Sequence, residues 1–214
     1  MTTRNAGGLL AVLALAVVGL LLWMPPEQTL GAVIRPVFLH GALVRVGLLT
    51  FAAAGLLGLF YLAQMTRARL TWCVATQQVA VMVWLVYAAS STVTTKLAWG
   101  QWIAWDEPRV RASLNVLWFS IAAWLLVRWV GSGVFTALAN VAVAAVTWLL
   151  IRSAGIIRHP FDPIGTSGSQ LYPIIYWLLV LVIGAMAVVA VIWRREQLVE
   201  ETLTAETLAT DGHG

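Results

Sequence analysis

The chain has 214 residues, of which 61% are hydrophobic and only 10% charged, with 12 tryptophans and one cysteine. Its mean hydropathy of +0.87 and its scarcity of charge lie far from soluble averages of roughly a quarter charged residues, which excludes a soluble globular fold and points to a polytopic membrane protein. The net charge of +4 does not indicate nucleic-acid binding, because the 13 basic residues are scattered between apolar segments and form no stripe.

Crossing a hydrocarbon core takes about 20 apolar residues, and six windows qualify, at about 8–24, 37–63, 73–94, 113–130, 133–151 and 172–193. The first follows Arg4 as a secretory leader would, but Pro25-Pro26-Glu27 offers no small-x-small cleavage site, so the segment is expected to stay as an uncleaved helix. The second opens at Pro36, which suits a first helical turn, and carries His40 five residues after Arg35. Arg45 follows about 7.5 Å farther along the helix axis, and an arginine at that depth is expected to face protein or to snorkel. Cys73 opens the third window. A single cysteine excludes an internal disulfide and a Cys-x-x-Cys-His haem attachment, and it reads as a small apolar core residue.

Between the third and fourth windows lies Trp99-Gly100-Gln101-Trp102-Ile103-Ala104-Trp105-Asp106. On a continuous helix, positions 99, 102 and 105 drift by about 60° per step, so their indoles would form one slanted face able to carry a flat ligand. An interfacial tryptophan belt is the alternative. The fourth and fifth windows are joined tightly by Gly131-Ser132-Gly133, and the link to the sixth contains Arg158-His159-Pro160-Phe161-Asp162-Pro163. Trp177, inside the sixth window, is assigned only a packing role. After Trp193 come Arg194-Arg195 and then an acidic run, Glu196, Glu200, Glu201, Glu206 and Asp211, which reads as a helix end fraying into disorder. The expected organisation is therefore all-α, with a six-helix transmembrane domain over 1–193 and a disordered tail over 194–214. His213 falls in that tail and is given no role.

The positive-inside bias is absent, so charge does not set the orientation. Parity does group the links: with six crossings, the first, third and fifth emerge on one side. His40, the tryptophan motif and His159 then share a face. Neutral imidazole is a standard axial ligand of haem iron, a porphyrin is a broad plate suited to stacking on indoles, and its propionates call for arginine. Arg35 and either Arg109 or Arg111 lie close by in sequence. The parts match bis-histidine binding of non-covalent haem b.

At these residues the chain resembles the haem-handling CcmC type of cytochrome c maturation protein, within the wider CcmC/CcsA group marked by a Trp-Gly-x-x-Trp-x-Trp-Asp signature. Residues 99–106 match it with one residue fewer after Gly100, and the likeness extends over about residues 30–195. Gly41-Ala42-Leu43 stands where the family often has Val-Pro-Ala, and Glu107-Pro108 separates Asp106 from Arg109 by one residue more than usual. The resemblance implies six transmembrane helices in the cytoplasmic (inner) membrane, both termini cytoplasmic, and haem at the periplasmic face. It implies His40 and His159 as iron ligands, with Trp99, Trp102, Trp105, Asp106, Arg35 and Arg109 around the haem. It also implies delivery to a CcmE-type haem chaperone, beside a CcmA/CcmB ABC transporter and a CcmD-type small membrane protein. The expected function is thus non-enzymatic haem transfer. The alternatives are a b-type cytochrome subunit in electron transfer and a scaffold anchored by its tryptophans.

Overall fold

A computed structural model describes residues 3–158 and 169–211. Six helices follow one another: α1 (Thr3–Trp23), α2 (Ile34–Ala63), α3 (Arg67–Trp99), α4 (Pro108–Val130), α5 (Gly133–Ser153) and α6 (Leu171–Asp211). All six are long and apolar enough to cross a membrane. Their ends follow local chemistry. The Thr66 side chain accepts the Arg69 N–H at the start of α3, and the Ser132 side chain accepts the Phe135 N–H at the start of α5, which satisfies donors that a helix leaves open. Pro108 occupies the first turn of α4, where a missing N–H costs nothing.

The hub is α2, which packs against α3, α5 and α6, while α1 leans on α6 and α4 on α5. Close approach of α2 to α5 rests on two glycines. A methyl at Gly55 would come within 2.7 Å of Ala144 Cβ, and one at Gly58 within 2.7 Å of the Ala137 carbonyl oxygen. Small residues let helix backbones meet where lipid supplies no hydrophobic drive. On the α3 side, Phe51, Trp84 and Tyr87 are buried in a column, with Trp84 5.7 Å from Phe51 and 4.7 Å from Tyr87 between ring centroids.

The links that begin α2, α4 and α6 gather at one end, here called the upper end. Arg35 Nε donates to the Met24 carbonyl at 3.1 Å, Thr94 Oγ1 to the Pro36 carbonyl at 3.3 Å, and Tyr172 Oη to the Pro26 carbonyl at 3.4 Å. The first link is itself folded by Glu27. Its carboxylate accepts the Thr29 and Leu30 N–H groups at 2.8 Å each, and these bonds hold its pKa below the ordinary value. The grouping inferred from parity is the one these contacts make.

Polar residues mark the lower end at Gln64, Arg69 and Arg194. A 30 Å core takes about 20 helical residues. Counted upward from Ala63, Leu70 and Trp193, that length reaches Val44, Ala89 and Ile174. His40 then lies about one turn above the hydrocarbon and Arg45 at its boundary. The sixth helix, with 41 residues, is about 60 Å long and runs on to Asp211, where the sequence pointed to a frayed tail. Arg194 ties this extension down: it donates to Gln78 on α3 at 2.7 Å, and to Gln197 at 3.2 Å and Glu201 at 2.8 Å on its own helix.

Candidate functional site

The tryptophan motif does not form a helical face. Helix α3 stops at Trp99 because Gly100 adopts φ +76°, with its N–H on the Lys96 carbonyl at 3.0 Å, while Lys96 Nζ donates to the Gly100 carbonyl at 2.9 Å. A left-handed glycine and a basic residue in the last turn are the usual helix stop. The slanted indole stripe expected over 99, 102 and 105 is therefore replaced by a loop over 101–107. Trp99 is half-buried at the helix end, whereas Trp102 and Trp105 stand out from the loop, each 62% exposed. The Lys96 ammonium lies 5.7 Å from the Trp102 ring centroid, and the Arg158 guanidinium 5.8 Å from that of Trp99.

Two adjacent carboxylates fasten this loop to the α5–α6 link. Asp106, exposed, pairs with Arg158, whose Nε donates to Oδ2 at 2.8 Å and whose Nη2 reaches the same oxygen. That hydrogen bond is the main reason the Asp106 pKa sits below its ordinary value, and the charge of Arg111 adds to it. Glu107 is fully buried, and its Oε2 accepts the N–H of Arg158 at 2.7 Å and of Ile157 at 3.3 Å. A buried carboxylate is tolerated when backbone donors surround it. Arg158 thus crosses 52 residues of sequence to bridge Asp106 and Trp99.

His40 is half-buried on the side of α2 that faces α3. Its ring lies 4.9 Å from that of Tyr87 at an interplanar angle of 33°, and its Nδ1 is wholly inside. Tyr87 is fixed in turn by a 2.7 Å hydrogen bond between its hydroxyl and that of Ser113, which donates to the Arg109 carbonyl at 2.8 Å. Trp84 Nε1 donates to the Ser113 carbonyl at 3.0 Å. The first turn of α4 is thereby held to α3. Arg109 is half-buried, and its Nε is enclosed without a hydrogen-bond partner among the described residues. A cleft of about 20 Å³, lined by Tyr87, Ser91, Thr95, Trp102, Val110 and Ser113 among others, opens between α3 and α4 below the loop.

Of the residues singled out in the sequence, the structure brings His40, Arg109 and the Trp99–Asp106 loop to the same end. Arg35 is there too, with its Nε engaged by Met24. Arg111 is exposed and acts on Asp106, whereas Arg109 turns inward, which separates two arginines the sequence left equivalent. His159 lies outside the described residues. Sequence reasoning missed Glu107, Arg158 and Tyr87. Glu107 directly precedes a helix-starting proline and Tyr87 sits inside a long apolar span, so neither carries a local signal for its role. The pairing of Arg158 had no local signal at all. No family model matches the chain, and no curated protein matches it.

Proposed function

We propose that this chain is a non-enzymatic haem-binding membrane protein that holds haem at the extracytoplasmic face of the inner membrane and hands it to a CcmE-type haem chaperone for cytochrome c maturation. The observation that carries this reading is a convergence at the upper end: an imidazole just above the hydrocarbon boundary, two displayed indoles, and a guanidinium nitrogen enclosed without a partner among the described residues. That donor set fits haem. The iron takes imidazole nitrogen, the porphyrin plate takes aromatic faces, and its propionates take arginine. A 20 Å³ cleft admits about one water, so a plate of that size belongs on the open face of the loop and not inside the bundle. His40 supplies one axial ligand, and His159, by its place in the sequence, the other. Trp102 and Trp105 cover the ring, Arg109 meets a propionate, and Asp106 with Arg158 keeps the loop in place. Cys73 is fully buried near the lower end and receives a hydrogen bond from Asn140, which supports non-covalent attachment. In this setting the CcmA/CcmB transporter and a CcmD-type protein are the partners, and both termini are cytoplasmic.

The test is an absorption spectrum of the purified protein with a haem assay on the same sample. The reading requires acid-acetone-extractable haem with a low-spin spectrum. Protein that stays haem-free from haem-replete cells, alone and with its partners, overturns it. Rapid reduction of bound haem by quinol would instead mark an electron carrier.

A further inference from the structure

A second feature of the upper end lies on the opposite side of α2 from the Tyr87-facing imidazole. Arg45 is exposed, and its guanidinium carbon sits 4.8 Å from the ring centroid of Trp177 and 5.6 Å from that of Tyr176, both on α6. Arg45 Nε donates to Tyr176 Oη at 3.1 Å, and Tyr176 Oη donates to the Gly41 carbonyl at 3.3 Å. Trp177, expected only to pack, is 49% exposed and stacks under this cation. Arginine has five N–H donors. One is engaged here, and the terminal nitrogens have no carboxylate or other acceptor among the described residues.

We propose that Arg45, Tyr176 and Trp177 form a binding site for the phosphate of a glycerophospholipid in the leaflet at the upper end. Side chains on a helix lean toward its N-terminus, so Arg45 reaches upward from the hydrocarbon boundary to the level of Gly41, where lipid phosphates lie. The Tyr176 hydroxyl and the Trp177 face pre-orient the guanidinium with its planar fork outward, the geometry that meets two phosphate oxygens at once. Below the cation the surface becomes a stripe suited to acyl chains. Leu49 and Leu56 on α2 are 60% and 56% exposed, and Leu181 and Val188 on α6 are 67% and 59% exposed. They repeat at four and then seven residues below Arg45 and Trp177 respectively, which keeps them on the same helix faces. A charged cap over two apolar rails matches a phospholipid and not the lone carboxylate of a partner helix. The inference does not rest on haem binding, because Arg45 turns toward α6 and His40 toward α3.

Native mass spectrometry of the whole protein in nanodiscs or mild detergent tests it, with phosphatidylglycerol and phosphatidylethanolamine compared against a neutral glucosyl diacylglycerol of the same chains. The expected result is one phospholipid held more tightly by the parent chain than by Arg45→Gln, by about fivefold or more, with glycolipid binding equal in both. Trp177→Leu should show a smaller loss of the same sign, and it serves as the deciding variant if Arg45→Gln does not fold. Equal phospholipid retention by the parent and by every folded variant overturns the proposal. So does a photo-crosslinker at Leu49 or Leu181 that captures a polypeptide instead of lipid in native membranes.

Discussion

Each polar residue around the loop fails in its own way. His40→Ala removes an iron ligand, so haem occupancy should fall or the spectrum lose its low-spin form, with added imidazole restoring part of it if the pocket is intact. Trp102→Ala or Trp105→Ala takes away an indole that is 62% exposed. The fold should lose little, and the bound fraction should drop while the remaining haem keeps its low-spin spectrum. Glu107 behaves differently again. Glu107→Ala leaves the Ile157 and Arg158 amides without their acceptor and should destabilise the protein by about 1–3 kcal/mol, whereas Glu107→Gln keeps an acceptor and should cost less. Thermal unfolding in detergent and hydrogen exchange at residues 154–158 would separate the two. Asp106 carries the pH dependence of the clamp. Its pKa is lowered in the folded chain, chiefly by Arg158, so the stabilisation is present above the unfolded value of about 3.9 and is lost as pH falls through the folded value. Exchange over 101–107, corrected for intrinsic rates, should be flat from pH 8 to 5 and rise only below about pH 4. Asp106→Asn should show the open behaviour at neutral pH.

At the scale of helices, the seam between α2 and α5 is the sensitive one. A methyl at Gly58 meets a backbone carbonyl, which cannot turn aside as a side chain can, so Gly58→Ala should cost about 1–3 kcal/mol through forced separation. A lowered unfolding midpoint would register this, and an unchanged midpoint would mean that the seam is looser than drawn. The apolar windows read from the sequence fall inside the observed helices, apart from a one-residue overrun at Met24, because hydropathy over 20 residues is a local quantity. The tryptophan motif was misread for an instructive reason. Its stop signal, Lys96 followed by Gly100, is present in the sequence, but the even spacing of the indoles suggested a helix continuing through it. A left-handed glycine outranks side-chain periodicity, since the backbone bond it redirects ends the helix whatever follows.

For the whole molecule, the convergence of the three upper links makes a topological prediction. With Cys73 fully buried, single cysteines placed at Gln101 and Thr66 should label from opposite sides of the membrane in intact cells, and on the proposed orientation only Gln101 should label from outside. Equal labelling from outside at both positions would show that one of the helices does not cross.

The number of helices, the approximate ends of the first five and the sharing of one side by His40, the tryptophan motif and the last link follow from the amino-acid order alone. Each depends on neighbours in the chain or on counting crossings. Tertiary structure alone decided the rest. It turned Arg109 inward and Arg111 outward, set Glu107 beneath the backbone of residues 157 and 158, joined Arg158 to Asp106, and laid Arg45 on Trp177 across 132 positions. In a membrane span almost every residue is apolar, so hydropathy does not say which face of a helix meets a neighbour. That choice belongs to steric fit between backbones, as at Gly55 and Gly58, and to the few polar atoms that must find partners away from water.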